Sequence, residues 1–375
     1  MRPTLLPYAH QTIEPDDVAA VSDALTADWI TQGPLVARFE QALAERGGVR
    51  HAVAMASGMA ALHAACWAAG LGLNDEAITT PLTFAATANA IAYRGAQPIF
   101  ADIDAATLNL APDAVKRVAT ARTRALLPVD FAGLPCEYAH LLPLARERLD
   151  RHRRRGALVR RHGRRSMGRS AGRHDDALLP SREADHDGRR RRGHHRSRRS
   201  GRAPARGAPP RHPASVRGTP RAPSSNYRLT DFQSALGLSQ LGKLDRFWRR
   251  REALARRYRE CLAGSRFVEL PALPDDQKHG WHLFVVMLRL ERPWAARDTI
   301  LRALCAENIG ATMHYPLVYR HRFYRDRFRY ASGLCPNAKL VEPRLVTLPL
   351  FPAMTDAGQD DVLRALDKVF AHYAR

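Results

Sequence analysis

Between Arg151 and Pro223 the chain has a composition unlike that of a packed protein. These 73 residues hold 23 arginines, no lysine and no aromatic side chain, against five acids (Asp175, Asp176, Glu183, Asp185 and Asp187). The block carries 18 of the formal net charge of +22, and the other 302 residues carry +4. A stretch so charged and so poor in aromatic side chains buries too little apolar surface to offset the entropy of ordering it. Residues 149–223 are therefore expected to be disordered or misfolded, and the fold must be built by the two arms.

A chain of 375 residues is long enough for one large domain or two ordinary ones. Taken whole, a pI near 10.8 points to a nucleic-acid or anionic-membrane partner. The partition of charge argues against that, because the arms are nearly neutral and the block lacks the aromatic rings on which bases stack. Neither nucleic acid nor membrane is an expected partner; no apolar run reaches the roughly 20 residues that span a bilayer. The start, MRPTLLPYAHQTIEPDD, has no apolar region followed by a cleavage site, so no signal peptide is expected. Five widely spaced cysteines, with no CxxC pair or histidine cluster of metal-ligand spacing beside them, imply reduced thiols in a cytoplasmic protein and no metal.

Residues 1–148 read as alternating helices and strands. EPDDVAAVSDAL (14–25) has acids in its first turn and helical apolar spacing, and PLVARFEQALAE (34–45) starts with proline. HAVAMAS (51–57) reads as a short buried strand running through Gly58 into an alanine-rich helix. AITTP (77–81), PIFADID (98–104) and ALLPVDFAG (125–133) read as further strands. Such alternation predicts a mostly parallel sheet covered on both faces. Residues 224–375 open with a long helix, with room for one break. Strands over 281–290 and 311–316, a helix ending at Gly310, a strand near 348 and a terminal helix follow. These predict a smaller α+β domain.

Taken singly, the candidate functional residues each have an ordinary alternative. Ser57-Gly58 at a helix start suits a phosphate, since unpaired N–H groups and the positive dipole end face it, yet most such junctions are only turns. Phe84 could stack on a flat ring or belong to the core. Thr230 could simply cap a helix. His314 and Tyr315 end a predicted strand, where a structural histidine is the default.

The combination is more specific. DWITQGP (28–34), ASGMAALHAA (56–65), TTPLTFAATANA (79–90), FADIDAATLNL (100–110), NYRLTDFQSALGLSQL (226–241), MHYPL (313–317) and LPLFPAMTDAGQDDV (348–362) occur in this order. Together they resemble the DegT/DnrJ/EryC1/StrS family of pyridoxal-phosphate (PLP) sugar aminotransferases, nearest the branch that aminates a 4-keto-6-deoxy UDP-hexosamine. The resemblance implies an α/β fold of type I, with a large domain begun by residues 1–148 and an interdomain helix and small domain in 224–375. It further implies a nucleotide-sugar substrate, an amino-acid donor such as glutamate, a role in surface-glycan synthesis, and a homodimer. By the same resemblance Ser57, Gly58 and Met59 hold the cofactor phosphate, Phe84 stacks on the pyridine ring, and Asn226 reaches the phosphate of the neighbouring subunit. Trp29, Thr31, Gln32, Arg228, His314 and Tyr315 would lie near the sugar nucleotide. Met59 stands where the family usually has threonine, and Asp130 where histidine is common, a charge change that puts cofactor affinity in question.

Transamination also needs a lysine to form the Schiff base and move a proton, and a carboxylate to keep the pyridine nitrogen protonated. In the family the carboxylate lies in a V-I-E-D-A-A-H strand and the lysine in S-F-H-P-V-K, followed by T-T-G-E-G-G. Both belong between the arms, and neither is present. The chain's five lysines are Lys116, Lys243, Lys278, Lys339 and Lys368, all in polar helix or loop contexts. Covalent attachment of PLP is therefore not expected, and no catalytic residue is assigned.

Back-translation accounts for the gap. Codons for Leu149 to Leu158 (LDRHRRRGAL), with each triplet begun one nucleotide later, permit S-T-V-I-E-D-A-A-H, the aspartate triplet spanning Arg154 and Arg155. The same offset over Leu179 to Ser197 permits F-H-P-V-K-P-I-T-T-G-E-G-G-A-V-T-T-D, the lysine triplet spanning Glu183 and Ala184. Glutamate followed by alanine can yield only lysine or arginine there. Two motifs in order, in one offset, indicate a net frame change near Arg148–Leu149, reversed shortly before Asn226. The competing readings are an arginine-rich insert that binds nucleic acid, a non-catalytic sugar-nucleotide binder, and a dehydratase of the kind in which histidine replaces the lysine. No histidine here sits in the context the last requires.

Overall fold

A computed structural model describes residues 2–149, 157–158, 225–289, 295–331 and 333–373. It divides into a unit of Met1–Pro180 with Tyr227–Arg375 and a second unit, Ser181–Asn226. Only residues 225 and 226 of the second are described. The expectation of disorder or misfolding over 149–223 lies outside the described residues, except at Leu149, which ends a helix, and at Ala157–Leu158, which form a strand.

The first arm opens with helices α1 (Pro15–Thr26), α2 (Pro34–Gly47) and α3 (Gly58–Ala68). Proline at the start of α1 and α2 fits the first turn, where its missing N–H is no loss. Strands β1 (Glu76–Thr79), β2 (Gln97–Phe100), β3 (Thr123–Leu127) and β4 (Ala157–Leu158) then form a parallel sheet in the order β2-β1-β3-β4. Helices α4 (Ala86–Tyr93), α5 (Pro112–Val118) and α6 (Tyr138–Leu149) connect or follow the strands. All four residues of β1 are buried, as expected of a strand covered on both faces. Alternation assigns the faces: Ala77, Ala125 and Leu127 meet α3 and α4, while Ile78 and Leu126 meet α5 and α6.

The second arm begins with α7 (Asp231–Leu262), a single 32-residue helix without the break that the sequence allowed. Its early turns pack on α1 and α2. Strands β5 (Val268–Glu269), β6 (Phe284–Leu288) and β7 (Leu345–Leu348) form an antiparallel sheet, with α8 (Arg297–Ala306), α9 (Arg322–Phe328), α10 (Pro336–Val341) and α11 (Asp356–Tyr373) around it. Alternate β6 residues serve two cores. Phe284, Val286 and Leu288 meet α7, α8 and α11, whereas Val285 and Met287, with Leu283 just before the strand, join Leu82, Phe100 and Phe131 of the first arm.

Two sequence expectations need correction. HAVAMAS is not a buried strand: only Met55 pairs, with Arg228, and Val53 is exposed. A strand needs a hydrogen-bonding neighbour along its length, and residues 227–228 offer it backbone partners only at 55–56. Residues 311–316 are likewise reduced to one bridge, Thr312 with Thr347. Asp130, which stands where the family commonly has histidine, ties its own turn together. Its Oδ1 accepts from Cys136 N at 2.8 Å and from Tyr138 Oη at 2.9 Å.

Candidate cofactor and substrate site

The start of α3 has the geometry that the Ser57-Gly58 junction predicts. Ser57 is the N-cap in extended conformation, and its Oγ accepts from Ala60 N at 3.1 Å. Gly58 is buried as the first helical residue. Met59 packs against the apolar layer of α3, α4 and the sheet, so it gives that turn an apolar body where a hydroxyl was expected. The turn is braced by residues far along the chain. Ala56 N donates to Tyr227 O at 2.9 Å, and Tyr227 Oη lies 2.7 Å from His63 Nδ1 on α3. Burial and the nearby Arg94 charge hold His63 below its ordinary pKa. Burial also pushes the Cys66 thiol of α3 up to about 12, which removes it as a nucleophile.

Arg228 joins this turn to the 29–33 loop. It bridges Met55 through its backbone while its Nη1 donates to Gln32 Oε1 at 2.5 Å. Trp29 and Thr31 are exposed in the same loop. Ser57, Gly58, Gln32 and Arg228 thus form one neighbourhood, with Trp29 and Thr31 on the connected loop.

Phe84, His314 and Tyr315 form a second. Phe84 follows β1, is 46 % exposed, and meets Tyr315 edge-on at 6.2 Å between centroids. His314 Nδ1 lies 3.0 Å from Thr347 Oγ1, and the ring is 5.2 Å from that of Tyr8. Phe84 is thus not a core residue. Asn226 is exposed and belongs to the second unit. Thr230 does cap α7, with Gln233 Oε1 accepting from its N–H at 3.1 Å. Sequence reasoning missed Tyr8 and His63, and saw Tyr227 and Asp231 only as part of the polar run that opens α7. Nothing local marks them, because their partners are distant in sequence.

These groups fit a phosphate at the α3 start and a flat ring at Phe84, the two parts of PLP that need no covalent chemistry. The lysines do not complete the site. Lys243 lies among Glu14, Asp16 and Asp17 at 3.3, 2.6 and 2.8 Å. Lys116 pairs with Asp113 and Lys368 with Glu307. Lys278 sits over the Trp248 ring, and Lys339 is exposed on α10. The buried carboxylates among the described residues are Asp17, Glu76, Asp102, Asp130 and Asp231. Each is engaged: Asp102 caps α10 through Asn337 N and Ala338 N, Glu76 pairs with Arg122, and the others are tied as described here and below.

The DegT/DnrJ/EryC1/StrS aminotransferase family model matches residues 11–148 and 201–367. The Bacillus subtilis spore coat polysaccharide biosynthesis protein SpsC is 33 % identical over 379 residues, covering 96 % of each chain. Among solved structures, Helicobacter pylori PseC, an aminotransferase in pseudoaminic acid biosynthesis, superposes with a TM-score of 0.79 at 21 % identity, over 98 % of this chain and all of that one. The PLP form of the sugar aminotransferase Spr1654 from Streptococcus pneumoniae gives a TM-score of 0.81 at 20 % identity, over 98 % and 99 % of the two chains. Among the described residues no helix is long and apolar enough to cross a membrane. The chain belongs to the DegT/DnrJ/EryC1/StrS aminotransferase family, the PLP-dependent sugar aminotransferases of fold type I.

Proposed function

We propose that this protein derives from an aminotransferase of a keto-deoxy nucleotide sugar, with glutamate as amino donor, and that the chain as written does not transaminate. One observation carries the reading. The lysine and the pyridine-nitrogen carboxylate are missing from a chain whose arms keep most of the family's site residues, Met59 and Asp130 being the departures, and both are recovered in a single shifted frame over 149–197. Two facts support it. The family match breaks between 148 and 201, an interval that contains both recovered motifs. The five lysines are paired, stacked or exposed elsewhere, as described above. On this reading the domains are 1–148, the aberrant 149–223, and 224–375.

By the same reading Ser57, Gly58, Met59, Phe84 and Asn226 attend the cofactor, and Trp29, Thr31, Gln32, Arg228, His314 and Tyr315 the substrate, in a cytoplasmic homodimer. Exposed Val18, Leu25, Trp29, Ile30, Val53 and Trp67 in the first 70 residues support a surface for a second copy. The test has two parts. Nucleotide sequence across codons 148–226 must encode the two motifs one nucleotide out of register; a gene without them refutes the frame change. Purified protein treated with PLP and borohydride must show no stoichiometric label on one lysine by peptide mapping. A single labelled lysine with aminotransferase activity overturns the inactivity.

A further inference from the structure

The first turn of α2 is capped by a residue almost 200 positions away. Its N-cap, Gly33, has no side chain with which to accept the free N–H groups that begin every helix. Asp231, at the start of α7 and 1 % exposed, accepts them instead. Gly33 N donates to Oδ1 at 2.9 Å, Leu35 N to Oδ2 at 3.3 Å and Val36 N to Oδ1 at 3.2 Å. The Asp231 N–H in turn donates to Ile30 O at 3.0 Å. Gly33 is required for this approach, since a Cβ there would lie 2.2 Å from Asp231 Oδ2 and 2.5 Å from Trp29 Cβ. Four backbone hydrogen bonds and the Arg228–Gln32 contact thus fix the 29–36 segment to residues 228–231. Residue 228 is itself bridged to Met55, two residues before Ser57.

We infer that Asp231 is a positioning residue that fixes the Trp29–Gln32 loop beside the phosphate turn and so sets the affinity for the nucleotide part of the substrate. The ligand half of this inference rests on the nucleotide-sugar reading above; the anchoring half does not. A negative charge at the N-terminal end of α2 also complements that helix's dipole, which makes carboxylate better suited than amide. Asparagine keeps the Oδ1 acceptor for Gly33 and Val36 but turns an NH2 toward Leu35 N, so it should restore part of what alanine loses.

The experiment compares the full-length protein with Asp231→Ala and Asp231→Asn, using uridine diphosphate as probe. Amide exchange is read residue by residue, and binding by Trp fluorescence. Asp231→Ala is expected to speed exchange at Gly33, Leu35 and Val36 tenfold or more while β6 and the second half of α7 stay within twofold. It should weaken uridine diphosphate about tenfold, with Asp231→Asn intermediate in both. Exchange at 33–36 within twofold of the parent, or faster exchange everywhere alike, overturns the anchor. A freed loop with unchanged affinity overturns the positioning role. If the parent binds no uridine diphosphate, the nucleotide-sugar reading and the ligand half fail together, and the exchange arm still decides the anchor.

Discussion

Lys243 provides the sharpest test of whether the lysines here are structural. Its side chain is 9 % exposed and contacts Asp16, Asp17 and Glu14. Burial alone would lower its pKa, but the hydrogen bonds to Asp16, Asp17 and Glu14 outweigh it and raise the value above 10.5. Burial likewise pushes Asp17 up, and bonds from Lys243, Ser239 and the Glu14 backbone more than reverse it, leaving Asp17 below 3.8. Lys243→Met keeps the apolar stem and removes the charge. Glu14 keeps Arg246 and solvent, so the cost falls on Asp17, which is fully buried.

Removing one partner of a buried pair costs about 3–5 kcal/mol. Protonation of Asp17 caps the loss, because neutralising an ordinary aspartate at pH 7 costs about 4 kcal/mol. Retained bonds from Ser239 and Gln240 place the expected loss near 3 kcal/mol. The pH dependence has a fixed sign. In the parent, Asp17 contributes stability above its unfolded pKa that is lost as pH falls through the lowered folded value. Lys243 contributes stability below 10.5 that is lost as pH rises through its raised value. In Lys243→Met the Asp17 pKa moves up, so the deficit is largest at pH 7 and shrinks toward pH 4. Urea unfolding at the two pH values measures this. A loss under about 1 kcal/mol, or one equal at both pH values, refutes the assignment.

Further outcomes follow from other sites. Asp130→Ala strands the buried Cys136 N–H while Tyr138 can turn to water, so about 2 kcal/mol should be lost in urea unfolding. Gly237→Ala gains up to about 1 kcal/mol of helix propensity, but its Cβ would lie 2.7 Å from the Phe39 ring, and overpacking typically costs about 1–3 kcal/mol. Net destabilisation by thermal melting is expected. His279 is stacked 3.8 Å from Trp281, and burial, with some repulsion from Arg259, holds its pKa down to about 3. Its depressed pKa means stability is present above pH 6.5 and lost as pH falls toward 3. Imidazole NMR shifts should stay at the neutral value at pH 5.

Periodic apolar spacing and prolines at helix starts made α1, α2 and α7 legible, because those signals are local. Helix α4 was not, since ATANAIAY is apolar almost all round and carries no period. HAVAMAS has the composition of a strand, but composition cannot supply a neighbouring backbone. The site divides the same way. Ser57-Gly58 and Phe84 could be found because each stands beside a strand or helix end. Asp231 stood out only as one of the polar groups at the start of a long helix; its role could not be read, because its partners lie 195–198 positions away.

The β6 strand faces two cores, and one of them is nearly self-contained. Apart from Leu6, every buried residue packed with Phe284, Val286 and Leu288 lies between Leu254 and Phe370. On the frame reading proposed above, the residues of this core are therefore all encoded in the restored frame except Leu6. Such a core can keep its amides protected from exchange while the upstream sheet opens. On the reading proposed above, the last third of the chain would then resist proteolysis longer than the segments before it.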